Sequence, residues 1–190
     1  MKNSSMSARN VDSGSTHRFP YIWNLTDLEN VKKNGKTVFS CFSCGGGSSM
    51  GYKLAGYTVL GNVEIDPAIN DLYVNNNHPR FNFMMDIRDF EKLDGLPEEL
   101  FNLDILDGSP PCSTFSMAGN REEGWGKQKV FREGQAKQTL DDLFVHFINV
   151  VKKPKPKCFV AENVKGLIAG NAKGYVNEIL RLFDEAGYKV

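Results

Sequence analysis

Thr37-Val38-Phe39-Ser40-Cys41-Phe42-Ser43-Cys44-Gly45-Gly46-Gly47 is the stretch on which the fold turns. Its first half, Thr37 to Phe42, is β-branched and aromatic and predicts a buried strand. Its second half opens a Gly/Ser loop that runs to Met50, with a short helix from there to about Ala55. Consecutive glycines let the backbone take positive φ and approach a ligand closely. No Gly-Lys-Ser/Thr follows, so this is not a phosphate loop, and the spacing is not Gly-x-Gly-x-x-Gly. By itself the turn reads equally well as a tight strand–helix connection.

Outward from that stretch, strands and helices alternate. Thr58–Ile65 predicts a second strand, and Pro67 stands where a first helical turn tolerates a missing N–H, opening a helix to about Asn76. Phe81–Met85 and Leu103–Leu106 predict the third and fourth strands. Leu140, Leu143, Phe144, Phe147, Ile148 and Val151 fall on one helical face, which the Lys/Pro run 152–156 ends. Cys158–Ala161 is the fifth strand. Val176, Ile179, Leu180, Phe183 and Ala186 form another stripe, stopped by Gly187, and Tyr188–Val190 reads as the start of a sixth strand. The alternation predicts an α/β fold with a doubly wound, mostly parallel sheet. Residues 1–35, Ser/Asn-rich at the start, read as a flexible N-terminal extension to a domain spanning 36–190.

Composition narrows the class. Of 190 residues, 41% are hydrophobic, and 13 Phe, 6 Tyr and 2 Trp exclude a chain that buries nothing. Apolar runs are broken within a few residues, far short of a membrane span of roughly 20. Lys+Arg and Asp+Glu both number 23, so a generally basic coat is absent, although a local basic stripe could still meet a phosphate backbone. Four cysteines and no apolar leader point to reduced thiols in a cytoplasm. Cys41-x-x-Cys44 lacks a second ligand pair, so no metal site is expected and both read as packing thiols. His17, His78 and His146 have no ligand spacing.

Chemistry-bearing residues gather where the predicted strands end, the edge at which such sheets bind ligands. Glu64 closes the second strand and could accept both hydrogen bonds of a ribose diol, or simply cap the helix at Pro67. Asp86, after the third strand, could accept from an exocyclic adenine amine. Asp107-Gly108-Ser109-Pro110-Pro111-Cys112-Ser113 follows the fourth strand, with two prolines fixing the approach to a thiol that is either a nucleophile or an ordinary cysteine. Glu162-Asn163-Val164 closes the fifth, bringing a carboxylate that is either a partner for Cys112 or a helix cap.

The Phe42–Gly47 turn, Pro111-Cys112 and Glu162-Asn163-Val164-Lys165-Gly166-Leu167, in this order and spacing, resemble the C5-specific cytosine methyltransferases of DNA, over about Lys36 to Val190. The resemblance implies the Rossmann-like fold of S-adenosylmethionine-dependent methyltransferases, with double-stranded DNA as partner and S-adenosylhomocysteine as product. It implies that Cys112 is the nucleophile that adds to C6 of cytosine, Glu162 the acid at N3, and Asn163 the brace of the Cys-bearing loop. It further implies that Phe42, Ser43, Gly45, Gly46, Gly47, Glu64, Ile65, Asp86, Ile87, Pro111 and Leu143 hold the cofactor. Carbon 5 of cytosine is too electron-poor to attack a methyl donor until a thiolate has added at C6. A free thiol with a pKa of about 8.5 must therefore be activated, while a glutamate must be buried or paired to act as an acid. The base must be flipped out of the duplex.

Ser113, Ser116, Arg121, Lys127 and Lys129 lie in a basic, glycine-containing stretch after Cys112, expected to clamp DNA phosphates, with Trp125 and Gln135 available to fill the space a flipped base leaves. Three positions depart from the family pattern: Ser40 where an acid is usual, Cys44 where a glycine is, and Ser113 where a glutamine is. The family also continues beyond this length with an Arg-bearing motif, a target-recognition domain and a segment completing the cofactor pocket. The expectation is therefore a fragment or a subunit completed by a second chain, with weak cofactor binding and no sequence-specific activity alone. A bacterial or phage origin fits. The rival readings are a cytosine methyltransferase acting on tRNA and a non-catalytic, partner-binding relative.

Overall fold

A computed structural model describes residues 23–111, 142–163 and 173–190. The chain divides into two compact units, Met1–Asn30 and Val31–Val190. In the first, Leu25–Asn30 forms a 3-10 turn, opened by the Asn24 amide donating to the Asp27 carboxylate at 2.7 Å.

The second unit is built on five parallel strands. These are Thr37–Cys41 (β1), Thr58–Glu64 (β2), Phe81–Met84 (β3), Ile105–Gly108 (β4) and Cys158–Ala161 (β5). Their order is β3-β2-β1-β4-β5, with every neighbouring pair parallel. All carboxyl ends thus share one edge, and the order reverses beside β1, which opens a crevice there. The doubly wound α/β expectation holds.

Gly47–Leu54 (α1), Pro67–Asn77 (α2), Ile87–Lys92 (α3), Leu143–Lys152 (α4) and Lys173–Glu185 (α5) connect and cover the strands. Pro67 does open α2, with Asp66 as N-cap accepting the Ile69 amide at 3.1 Å. The α4 stripe faces inward as its periodicity predicts: Leu143, Phe144, Phe147, Ile148, Val150 and Val151 are all buried. Phe147 is fully enclosed. It lies on Gly108, where any Cβ would run into its ring, so the glycine that ends β4 lets α4 settle against the strand's carboxyl end. Phe39, Phe90 and Phe83 continue the same core, Phe39 and Phe90 stacked at 5.7 Å.

Three expectations shift. The fourth strand is Ile105–Gly108, not Leu103–Leu106. Leu103 follows a 3-10 turn, Glu98–Asn102, and is buried as core filling. The Asp104 carboxylate takes the Thr37 amide at 2.8 Å, so the backbone ladder with β1 begins one residue later, at Ile105. Helix α3, immediately after Asp86, has too few turns to show a period in sequence. Tyr188–Val190 form no strand: the Tyr188 amide closes α5 on the Phe183 carbonyl at 3.0 Å, and its hydroxyl donates to the Pro156 carbonyl at 2.6 Å. Among the described residues no helix is long and apolar enough to cross a membrane.

Candidate active site

The strand–turn–helix at β1 takes an unusual backbone path. Phe42 (φ 53°) and Cys44 (φ 47°) both adopt the left-handed conformation although neither is glycine. Such residues cost about 1–2 kcal/mol each, and persist where the surroundings hold them. Here the surroundings are the turn's own amides: Ser43 donates to the Val63 carbonyl at 3.2 Å, Cys44 to Glu64 Oε2 at 2.9 Å, and Gly46 to the Ser43 carbonyl at 3.0 Å. Gly46 (φ 88°) is the N-cap of α1, and a Cβ on it would collide with the buried Asn77 amide. Gly46 therefore packs the turn onto α2.

Glu64 is the second half of that device. It is only 8% exposed, with Oε2 on the Cys44 amide and Oε1 on the Asp66 amide at 2.9 Å. It does not cap α2, since Asp66 does that. One carboxylate thus ties the β1–α1 turn to the β2–α2 turn, and each of its oxygens retains acceptor capacity.

Beside Glu64 an open cleft runs along the carboxyl edge, where sheets of this kind bind their ligands. Phe42, Glu64, Ile65, Asp86, Ile87, Pro111 and Leu143, all singled out from sequence, line this one cleft, together with Cys44, Val63, Met85 and Ser109. Ser43, Gly45, Gly46 and Gly47 shape the turn and are not among its lining residues. Asp86 is the N-cap of α3, with Oδ1 accepting the Arg88 amide at 2.9 Å.

Glu162 and Asn163 are not among the residues that line the cleft; they follow the carboxyl end of β5. The Glu162 amide donates to the Gly108 carbonyl at 3.1 Å, which extends the β4–β5 ladder by one bond. Asn163 Nδ2 donates to the Pro110 carbonyl at 2.9 Å, two residues before Cys112. The Glu162 side chain is exposed, whereas acid chemistry asks for burial or pairing, because β5 ends at Ala161 and the chain leaves the sheet there. Cys112, Ser113, Ser116, Arg121, Lys127 and Lys129 lie outside the described residues, as does Val164 onward to 172.

The family model for C-5 cytosine-specific DNA methylases matches residues 36–190. The chain belongs to that family. It is 35% identical over 179 residues to the type II methyltransferase M.Sau96I of Staphylococcus aureus, covering 92% of this chain and 38% of that protein. It is 33% identical over 162 residues to M.NgoPII of Neisseria gonorrhoeae, covering 83% and 41%. The chain thus spans about two-fifths of the length of these relatives. Among solved structures, a protein assigned as a DNA modification methyltransferase and encoded within an E. coli prophage superposes with a TM-score of 0.57 at 25% identity, over 80% of this chain and 38% of that one. Spodoptera frugiperda DNMT2 shares the fold, with a TM-score of 0.50 at 19% identity over 78% and 41% of the two chains.

Two features of this methylase domain escape sequence reading. Asp107, buried near the end of β4, accepts from Ser40 Oγ at 3.1 Å, Ser48 Oγ at 2.7 Å and Tyr52 Oη at 3.3 Å. Position 40, where the family usually carries an acid, is here a hydroxyl, and a buried carboxylate reaches it from the neighbouring strand. The second is Cys44, read as a packing thiol but exposed and part of the cleft wall. Partial desolvation against the cleft wall and then the Glu64 charge push that thiol up. Cys41 does pack: it is buried, and burial followed by the Asp107 charge raises its thiol far above the usual range. Among the described residues no group of three His, Cys, Asp or Glu could hold a metal.

Proposed function

We propose that this chain carries the cofactor-binding and catalytic part of an enzyme that transfers a methyl group from S-adenosylmethionine to C5 of cytosine in double-stranded DNA. One observation carries the reading: in a member of the C-5 cytosine methylase family, the acid that ends β2, the acid that follows β3 and the proline preceding Cys112 line the same cleft. The cleft fits the cofactor's parts. Ile65, Ile87, Leu143 and the Phe42 ring offer apolar surface for adenine. Glu64, with each oxygen already fixed by one amide, has a lone pair on each for a ribose diol. Asp86 is left to accept the adenine amine.

The cofactor supplies a methyl group already activated on a sulfonium. The protein's part is to prepare the base. Cys112, as thiolate, adds to C6 of a cytosine flipped from the duplex. Glu162 hydrogen-bonds N3, so that electron density is drawn through the ring and C5 becomes nucleophilic. Entry of the base desolvates the exposed Glu162 and favours its protonated form. Asn163, through the Pro110 carbonyl, steadies the segment that brings Cys112 forward. After methyl transfer, loss of the C5 proton and elimination of the thiol restore Cys112 and release methylcytosine and S-adenosylhomocysteine. The basic stretch with Arg121, Lys127 and Lys129 holds DNA phosphates. A reducing cytoplasm keeps Cys112 a thiol, and the relatives' bacterial sources agree with that setting.

The test is a covalent trap. A duplex carrying mispaired 5-fluorocytosine lowers the cost of flipping, and fluorine cannot leave as a proton. With S-adenosylmethionine present, the expected result is an adduct mapped to Cys112 and absent in Cys112→Ala. An adduct with tRNA and none with duplex would move the substrate to RNA, and no adduct with either would leave a binding module.

A further inference from the structure

Asp86 does not reach the cleft alone. Its Oδ1 is occupied by the Arg88 amide and its Oδ2 by Arg88 Nη1, both at 2.9 Å. A guanidinium is a planar fork, and Arg88 uses its other tine to cross to the opposite wall: Nη2 donates to Asp142 Oδ1 at 2.7 Å. Asp142 is the N-cap residue of α4, yet its side chain makes no cap hydrogen bond, and its second oxygen lies 3.3 Å from His146 Nε2. An aspartate at an N-cap ordinarily bonds the first amides of its helix. Here that bond is given up and the carboxylate is turned to Arg88 instead. Both walls that Arg88 joins are cleft walls, since Ile87 on α3 and Leu143 on α4 line it. His146 extends the same chain of groups to Glu91, which also takes Asn149 Nδ2 at 2.9 Å.

We infer that Arg88, held by Asp142, is the positioning residue that sets the cofactor site's preference for an amino-purine. The Arg88 side chain fixes the rotation of the Asp86 carboxylate, so that its unused lone pairs keep one direction, towards the cleft. A fixed acceptor rewards a ligand that brings an N–H to that place, whereas a rotating one does so weakly. This rests on the cofactor reading above, and deepens it by naming what makes that end of the cleft selective.

The experiment compares two ligands on the 190-residue chain by calorimetry or ligand-observed NMR: S-adenosylhomocysteine, and the same molecule with hydrogen in place of the adenine amine. The wild-type chain should bind the amino form about 10–100-fold more tightly, the range expected of one hydrogen bond to a charged acceptor. Arg88→Met keeps the apolar stem and removes the fork; it should reduce that preference to about threefold or less. Asp142→Asn should reduce it part of the way while leaving Arg88 in place. The quantity read is a ratio of affinities on folded protein, which a general loss of stability does not move. An undiminished preference in both variants overturns the inference and leaves the cofactor reading standing. A wild-type chain that binds both ligands equally also overturns it, and one that binds neither removes the cofactor reading together with it.

Discussion

The two ends of the carboxyl edge are built to different standards of rigidity. At the β1–β3 end every acid is fixed: Glu64 by two amides from two turns, Asp86 by the backbone and side chain of Arg88. At the β4–β5 end the Glu162 amide holds its backbone to Gly108 and the Asn163 side chain is tied to the Pro110 carbonyl, while the Glu162 carboxylate stands exposed. A small cofactor of constant shape can be met by a preformed site. A base that arrives from a duplex must be met by groups that adjust as water leaves. The contrast teaches that pre-organisation in this domain is confined to the ligand that does not change.

That contrast can be broken or sharpened by substitution. Glu162→Gln should slow formation of the Cys112 adduct by about 10²–10⁴-fold and leave S-adenosylhomocysteine affinity within about twofold; equal losses in both would erase the distinction between the ends. Phe147→Ala, removing the ring that fills the space over Gly108, should cost about 3–5 kcal/mol of folding stability and damage both ends together, as urea unfolding would report. Glu64→Ala removes an acceptor from two amides and from the ribose diol, and should weaken S-adenosylhomocysteine about 10–100-fold; unchanged affinity would place the ligand elsewhere. Asn163→Ala should cost about 1 kcal/mol, visible as slower trapping with unchanged cofactor affinity.

The smallest effect is a matter of pH. Burial works against ionisation of Asp142, but the Arg88 hydrogen bond and charge hold its carboxyl below the ordinary value of 3.8. A carboxylate lowered in the folded state stabilises the fold fully above its unfolded value, and that contribution is lost as pH falls through the lowered one. Asp142→Asn should therefore reduce the melting temperature slightly at pH 7 and make its decline below about pH 4 shallower than wild type. Parallel acid curves would show that the Arg88–Asp142 pair contributes nothing.

Much of the cleft was legible in sequence, because its residues sit at fixed offsets from strand ends: once Thr37–Phe42, Thr58–Ile65 and Phe81–Met85 are read as strands, Glu64 and Asp86 must share an edge. Cys158–Ala161 was located to the residue, and the stripe from Leu143 to Val151 gave the buried face of α4. What stayed hidden rests on pairs distant in sequence. Arg88 and Asp142 are 54 positions apart, Ser40 and Asp107 are 67 apart, and neither pair leaves a period or a local motif. Leu103 misled for a different reason: a buried leucine before a strand looks the same as one within it. Cys44 misled because a lone cysteine in a loop carries no sign of whether it will be buried or exposed.

The most direct test of the central claim, that the β1–β3 end is a preformed cofactor site, is an amide NMR titration of the chain with S-adenosylhomocysteine. The account predicts saturable shifts gathered at residues 42–44, 64–65, 86–87 and 143, with little change at 162–163. Shifts that avoid those positions, or their absence up to millimolar ligand, would contradict it.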